Sequence, residues 1–303
     1  MRKRPQVHPL FGLILEGLAF LSKTVNPLPA LNEPFLHNDA VARLAVAGEV
    51  LDWIWKERHM SQPLLPGERT GPDGKSVANQ VLLSLSTRQF RIVRPSLQLV
   101  ALAHHDILHE SHRKVDSVYF PNDGLISLVI VMANGKTAEA GVVGCEGVVG
   151  LEGLFGLKRS PIREIVQVDG TAYRLPVATL QRAFKLVPDI LLRFSRFAVV
   201  NRLQVSQTAA CNRLHEVEKR LARWLLMTQD RVQSGLLPMT HDFLATMLGT
   251  DRSSVTAAAS LLQKQKIIEY ARGSVKVLNR KALEKCSCEC YGLIREYNAE
   301  LAR

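Results

Sequence analysis

The sequence has few aromatic residues and few cysteines. Aromatic residues make up 6% of the 303 positions, and the five cysteines are unevenly spaced. Cysteines in this arrangement do not form the disulfide framework of a secreted domain, so we expect a reducing cytoplasm. The apolar stretch 10–21 is interrupted by Glu16 and lacks a convincing cleavage site after it. It is also shorter than the roughly 20 residues of a membrane helix, so no membrane partner is expected.

The sequence also lacks the motifs of an enzyme, because it has neither a nucleophile motif nor a glycine-rich phosphate loop. Acidic residues are in deficit: Asp and Glu number 28 against 39 Lys and Arg, with a formal charge of +11 and a pI near 9.6. Part of the basic excess lies between residues 211 and 285. A chain of this charge attracts a polyanion, so we predict a binding protein with an anionic partner rather than an enzyme.

The segment 239–264 has the residue pattern of a helix-turn-helix. Ala245 is small where a second helix crosses closely, and Gly249, four residues later, can take the positive φ of a sharp turn. Val255 then faces inward and locks the two helices together. The alternative is a pair of short amphipathic helices in an ordinary bundle. The pattern favours DNA binding.

Caps and a hairpin extend this pattern. Thr240 and Asp251 are placed to cap the first and second helix with side-chain oxygens. Residues 267–278 read as two short strands around a turn at 272–274, which predicts a wing. In a winged helix-turn-helix, the second helix enters the major groove while the hairpin touches the sugar-phosphate backbone.

The candidate DNA contacts follow from this geometry. Arg252 is the one strong base reader, because its planar fork can donate twice to the acceptor edge of guanine. The hydroxyls of the second helix are weaker readers, and the basic residues of the wing are placed for phosphates. The full set is Thr240, Arg252, Ser253, Thr256, Ala257, Ser260, Arg272 and Lys276.

The remaining chain divides into three further regions. Residues 1–78 are predicted to be an N-terminal extension and linker with an amphipathic helix over 38–59, and Met60 is a candidate start of the protein. Residues 79–187 contain a short helix around 81–85 and a series of brief strands that predict an antiparallel barrel or roll. The strands are expected at 97–102, 107–108, 118–120, 125–132, 137–143, 165–168 and 172–175.

A long helical stretch, consisting of a dimerisation helix and a hinge, is predicted over 188–233, before a winged helix-turn-helix domain at 234–303. It has an apolar stripe wider than a lone surface helix needs, so it is expected to pair with a second copy, although burial against its own roll is the alternative. The stripe consists of Leu192, Val199, Leu203, Ala210 and Leu214. A second apolar block around Trp224 is expected to pack on the winged domain.

A roll, a long helix and a winged helix-turn-helix follow one another in the Crp/Fnr family of bacterial transcription regulators, which this sequence resembles over about residues 79–280. The most specific parts are residues 240–277 and the segment RLQVSQ at 202–207. The resemblance implies an α+β fold with a cyclic-nucleotide-binding-like roll, a homodimer on a two-fold DNA operator, and contact with RNA polymerase. Ser253 and Ala257 depart from residues that a well-known member uses for base reading, so the operator sequence is not carried over.

The same resemblance suggests a ligand site in the roll. Nucleotide-binding members hold the ribose with a Gly-Glu-Leu segment and the cyclic phosphate with a following Arg-Ser. The corresponding residues here are Gly150, Glu152, Arg159 and Ser160, with Ser206 near a purine. The carboxylate is displaced by one position because Leu151 occupies its place. We therefore assign no cofactor. A cyclic nucleotide is the less favoured alternative, and a roll that is empty or binds another ligand is the favoured one.

Two further groups of residues suggest metals. Cys286, Cys288 and Cys290, with Cys211 elsewhere, could bind zinc or an iron-sulfur cluster, but alternate cysteines are more often structural, so no metal is expected. The four histidines between 104 and 112 are interpreted as turn and surface residues. The leading hypothesis is a sequence-specific DNA-binding transcription regulator with a sensory roll. The alternative is a ligand-binding regulatory module whose winged domain docks proteins.

Overall fold

The structure is a computed structural model that describes residues 68–157, 159–232, 234–271 and 273–301. The predicted helix over 38–59, the candidate start at Met60 and the first part of the predicted linker lie outside the described residues, as does the predicted DNA contact Arg272. None of the helices within the described ranges is long and apolar enough to span a membrane.

Two short capped helices precede the first strand. Helix α1 is Gln80–Ser84, and the side chain of Asn79 caps it by accepting a hydrogen bond from the Leu82 amide at 3.1 Å. Helix α2 is Thr87–Val93, and Ser86 forms a capping box with Gln89. Both caps satisfy backbone amides that a helix leaves without partners. The predicted helix around 81–85 is confirmed.

Seven antiparallel strands form the roll, and every predicted strand is found within a few residues of its expected bounds. They make a three-stranded sheet in the order β1-β7-β3 and a four-stranded sheet in the order β2-β6-β4-β5. Helix α3, Leu151–Leu154, lies between β5 and β6. The strands are β1 Gln98–Leu102, β2 Ile107–His109, β3 Ser117–Pro121, β4 Leu125–Val131, β5 Thr137–Val143, β6 Ile162–Val168 and β7 Gly170–Pro176.

Two helices, separated by a short break, form the predicted helical stretch over 188–233. After α4, Val177–Leu186, helix α5 runs over Asp189–Leu214 and helix α6 over Val217–Val232. The backbone of His215 is extended, with φ −110° and ψ 146°, and this ends α5. The hinge was predicted without a position, because no glycine or proline marks the break.

The C-terminal domain has the expected order of helix, turn, helix and hairpin. Its three-stranded sheet has the order β8-β10-β9, and the sequence reading missed β8 because three residues show no periodicity. The elements are β8 Leu236–Pro238, α7 His241–Leu248, α8 Arg252–Lys264, β9 Ile268–Ala271, β10 Ser274–Val277, α9 Arg280–Cys286 and α10 Cys290–Leu301.

A buried apolar cluster unites the C-terminal domain, α6 and one end of the roll. Trp224 packs edge to face with Phe243 of α7, with ring centroids 5.8 Å apart. The cluster also includes Leu125 and Val142 from the four-stranded sheet. The expectation that the block around Trp224 packs on the winged domain is therefore confirmed, and the roll shares in this contact.

Candidate nucleic-acid interface and roll cavity

Local hydrogen bonds and one left-handed residue define the ends of α7 and the start of α8. Thr240 caps α7 by accepting from the Phe243 amide at 3.2 Å. Gly249 ends α7 in the left-handed region with φ 57°, where a residue without Cβ is favoured. Asp251 caps α8 by accepting from the Ser254 amide at 2.8 Å. The three local roles predicted for these residues are confirmed by the structure.

Polar groups of the first turn of α8 surround the carboxylate of Asp251. The Ser253 hydroxyl donates to Asp251, and the Ser254 hydroxyl donates to Asp251 Oδ2 at 2.7 Å. These bonds hold the pKa of Asp251 well below its usual range. Because its hydroxyl is engaged in this way, Ser253 must give up a local bond before it can donate to a DNA base.

Arg252 is the strongest candidate contact on the exposed face. Its side chain is 67% exposed, and its Nη1 lies 3.2 Å from Asp242 Oδ2 on α7. The Asp242 side chain is equally exposed, so water screens this ion pair and the guanidinium can exchange it for a base or a phosphate. The sequence reading missed Asp242 because the two residues are ten positions apart on different helices.

The hydroxyls farther along α8 mostly bond to their own helix. Thr256 donates to the Arg252 carbonyl at 2.9 Å, and Ser260 donates to the Thr256 carbonyl at 2.8 Å. His241 places Nδ1 3.0 Å from Thr256 Oγ1 and stacks on Tyr270 of the wing. Burial lowers the pKa of His241, with Arg252 acting in the same direction. His241 therefore ties α7, α8 and the wing together, a role that its sequence position did not signal.

The wing lies beside this face. Strands β9 and β10 pair with Ser274 opposite Ala271 and Val277 opposite Ile268. Gly273 in the turn has φ 75°, and Lys276 on β10 is exposed. The structure leaves every described candidate exposed: Thr240, Arg252, Ser253, Thr256, Ala257, Ser260 and Lys276.

A cavity of about 190 Å³ lies in the roll. Gly150 and Glu152 line it, and Ser160 donates to Glu152 Oε1 at 3.1 Å. Arg159 and Ser206 are exposed and are not among the lining residues. Three of the five predicted ligand residues thus come together. The lining consists of Leu128, Val148, Gly150, Leu151, Glu152, Phe155, Leu157, Ile162, Glu164 and Asn201.

Internal hydrogen bonds already engage the carboxylates of this cavity. Glu164 accepts from the Gly150 amide at 2.9 Å and pairs with His109 Nδ1. Burial raises the pKa of Glu152, and the negative charge of Glu164 adds to the shift. Interpreting His109 as a surface residue was wrong, since it is buried against β6. The other three histidines, His104, His105 and His112, are exposed as expected.

The cysteines near the C-terminus do not behave as one group. Cys211, Cys288 and Cys290 form a small buried cluster, and His215 lies beside them. Cys286 lies apart, with its sulfur 3.9 Å from Gln265 Oε1. The sequence spacing pointed to 286, 288 and 290 as a set, but the helical turn at the end of α5 supplies two of the actual members. Spacing alone could not have joined them.

Comparison with known proteins identifies the C-terminal domain. A family model described as the Crp-like helix-turn-helix domain matches residues 219–286. Among curated proteins, none shows significant sequence similarity to the chain.

The fold of the described chain is that of CRP/FNR regulators. FixK2 from Bradyrhizobium japonicum is similar with TM-score 0.55 at 15% identity, over 63% of this chain and 98% of that one. A CRP-family transcriptional regulator from Thermus thermophilus is similar with TM-score 0.54 at 21% identity, over 61% and 95%. The c-di-GMP-responsive regulator CLP from Xanthomonas campestris has TM-score 0.54 at 15% identity, over 63% and 99%.

Proposed function

The chain joins a Crp-like helix-turn-helix domain to the fold of CRP/FNR regulators, and we propose that it is a transcription regulator that binds specific sites on double-stranded DNA. The exposed face of α8 carries this proposal. It presents Arg252 at the first helical position beside a wing that carries Lys276, while the opposite face holds Val255 in the core. Such a helix can enter the major groove without unfolding any part of the domain.

A homodimer is part of the proposal. Helix α5 buries Ile190, Phe194 and Phe197 on one side, whereas part of the predicted stripe stays in solvent. Within the stripe, Leu192 is 62% exposed, Val199 51% and Leu214 74%. An exposed apolar row along a helix of this length supports pairing with a second copy. A dimer would set two recognition helices about 34 Å apart in successive major grooves.

The roll supports a sensory role without a cyclic nucleotide. A phosphate needs a positive partner, yet Arg159 is exposed and the cavity wall carries Glu152 and Glu164. The cavity is also below the roughly 300 Å³ at which small-molecule sites usually begin. We expect DNA binding without added cyclic AMP. Contact with RNA polymerase, a cytoplasmic location and the absence of catalysis remain predictions from the resemblance and the sequence.

Selection of bound sequences from a random DNA pool tests the function directly. The full chain should enrich a two-fold symmetric site. The variant Val199→Glu should still fold, because Val199 is half exposed, but its selected sites should lose the two-fold symmetry because the new charge lies in the pairing stripe. Ala209→Glu, exposed on the same helix but outside the stripe, should behave like the wild type. Recovery of unenriched DNA by the folded wild type would favour the alternative, in which the winged domain docks proteins.

A further inference from the structure

The cluster of Cys211, His215, Cys288 and Cys290, called here the thiol-histidine cluster, brings together four possible metal ligands. Their ligand atoms all lie within 4.8 Å of one another. The sulfurs of Cys211 and Cys288 are 3.5 Å apart, and Cys290 Sγ is 3.6 Å from His215 Nδ1. The three cysteines are buried and His215 is partly buried. Such a set matches the three thiolates and one imidazole of a common structural zinc site.

The fold explains why these residues converge. Cys211 and His215 are four positions apart at the end of α5, so they share one face of its last turn. Cys288 lies in the turn between α9 and α10, and Cys290 is the first residue of α10. Helix α10 lies along α5, where Arg196 donates to the Glu300 carbonyl at 2.8 Å. The cluster therefore joins two segments that are more than seventy residues apart in sequence.

Neighbouring groups orient the ligand atoms. His215 Nε2 lies 3.2 Å from Glu289 Oε1, which leaves Nδ1 facing the thiols. A carboxylate that fixes the second nitrogen of a histidine is the usual companion of a zinc-bound imidazole. Gln207 Nε2 donates to Cys290 Sγ at 3.1 Å, a bond that is stronger when the sulfur is a thiolate.

The charges around the cluster suit an anionic complex. Arg220 and Arg223 of α6 are buried, and within the described residues Arg220 Nε, Arg220 Nη2 and Arg223 Nε have no hydrogen-bond partner. A buried guanidinium is costly unless an anion lies near it. Three thiolates on a divalent ion leave one net negative charge for these arginines to balance.

We propose that the thiol-histidine cluster binds one Zn²⁺ ion, which fastens the C-terminal helix α10 to the end of the long helix α5. Two sulfur ligands about 2.3 Å from a tetrahedral zinc lie about 3.8 Å apart, close to the 3.5 Å between the sulfurs of Cys211 and Cys288. An iron-sulfur cluster spreads its protein ligands over at least two irons, so ligands on different irons lie farther apart than the 4.8 Å that spans this set. A disulfide between Cys211 and Cys288 would not explain why Cys290 and His215 lie beside the same two sulfurs.

The position of the zinc site would let it affect the orientation of the C-terminal domain. It lies beside the break at His215, where α5 ends and α6 leads into the helix-turn-helix. A metal that clamps α10 onto α5 restricts how far the C-terminal domain can turn relative to the long helix. The inference does not depend on DNA binding, since the ion is measured on the free protein.

Metal analysis of the full chain, purified under reducing conditions with zinc supplied, is the first test. Wild type should hold about one zinc per chain. Cys288→Ser and Cys290→Ser should lose most of it, whereas the control Cys286→Ser, two positions away and outside the cluster, should keep it. Equal zinc in Cys286→Ser and Cys288→Ser would overturn the proposal.

Two measurements on folded protein decide the matter even if a cysteine variant fails to fold. Cobalt added to the metal-free wild type should give the visible bands of tetrahedral thiolate coordination, and zinc should bleach them. Glu289→Gln should weaken zinc affinity about 10-fold to 100-fold in competition with a chelator, while leaving the ligands intact. Wild type that holds no zinc, that carries iron and sulfide instead, or that shows a Cys211–Cys288 disulfide under these conditions overturns the proposal.

Discussion

Two arginine-carboxylate pairs in this protein have the same chemistry and opposite surroundings. Between α8 and α7, the exposed Arg252 and Asp242 are 3.2 Å apart, and both side chains are 67% exposed. Between α6 and the roll, Arg231 and Glu146 are 2.7 Å apart, and their side chains are only 5% and 9% exposed. Water weakens the first pair, so it can open for a ligand at little cost. The second has no water to replace a lost partner.

The buried pair belongs to a network that joins three elements. Arg231 also donates to the Met227 carbonyl at 2.9 Å and to Gln204 Oε1 of α5 at 2.9 Å. Gln204 in turn donates to the Val142 carbonyl of β5 at 2.8 Å. The exposed pair is open to a partner, whereas the buried network fixes the roll against the two long helices. Burial, rather than residue type, separates the two roles.

Removing the buried acid should have the largest effect. Glu146→Ala leaves Arg231 as an uncompensated buried charge, and we expect it to lower the free energy of unfolding by about 3 to 5 kcal/mol. Asp242→Ala, which removes the exposed acid, is the matched control and should change it by less than about 1 kcal/mol. Urea unfolding of both variants measures the contrast. Similar values for the two would mean that burial does not distinguish the pairs.

A second buried carboxylate near this network should make stability depend on pH. Glu139 accepts from Trp224 Nε1 at 2.7 Å and from the Ser127 hydroxyl at 2.6 Å. Burial raises the pKa of Glu139 to about 7, from 4.5. The folded protein thus keeps a proton that the unfolded chain loses, and stability falls as pH rises from about 4.5 to about 7.

Glu139→Gln removes this titration and keeps a side chain of the same shape. It should raise the free energy of unfolding at pH 8 by roughly 3 kcal/mol at most and by nearly nothing at pH 4.5. Unfolding curves at both pH values measure the difference, and Glu269→Gln at an exposed position of β9 is the control. An equal gain in the free energy of unfolding at the two pH values would show that Glu139 does not titrate with a raised pKa.

On the exposed side, Arg252→Ala should weaken binding to the selected DNA site by about 1 to 3 kcal/mol and relax preference at one base pair. Lys276→Ala should weaken specific and scrambled DNA alike and reduce the salt dependence by about one phosphate contact. Titrations of both variants at two salt concentrations check this. An unchanged ratio of specific to scrambled affinity in Arg252→Ala would show that α8 is not the reading helix.

The smallest effect should come from freeing Arg252. Asp242→Asn removes the charge that holds the guanidinium and places no new group in its way, so DNA affinity should rise by about 0.2 to 1 kcal/mol. The gain should shrink at high salt, because screening already weakens the exposed pair. Weaker binding in Asp242→Asn would instead indicate that Asp242 positions Arg252 for the base.

Short-range features of the chain were predictable. The roles of Thr240, Gly249 and Asp251 depend on backbone angles and hydrogen bonds within three or four residues, so the sequence pattern identified them. The strands of the roll were found for the same reason, since turn residues and apolar alternation are local. The position of the break at His215 was not predicted because no glycine or proline marks it, and β8 was missed because it is too short to show a period.

The sequence by itself determined the order of elements, the helix-turn-helix with its caps, and the residues that α8 exposes. Each of these features depends on residues that are close together in the chain. Only the tertiary structure decided that His109 is buried beside Glu164, that Arg231 meets Glu146, and that Cys211 and His215 approach Cys288 and Cys290. Those partners are 55 to 85 residues apart. Their meeting depends on how whole sheets and helices pack, which burial of apolar surface drives without regard to sequence distance.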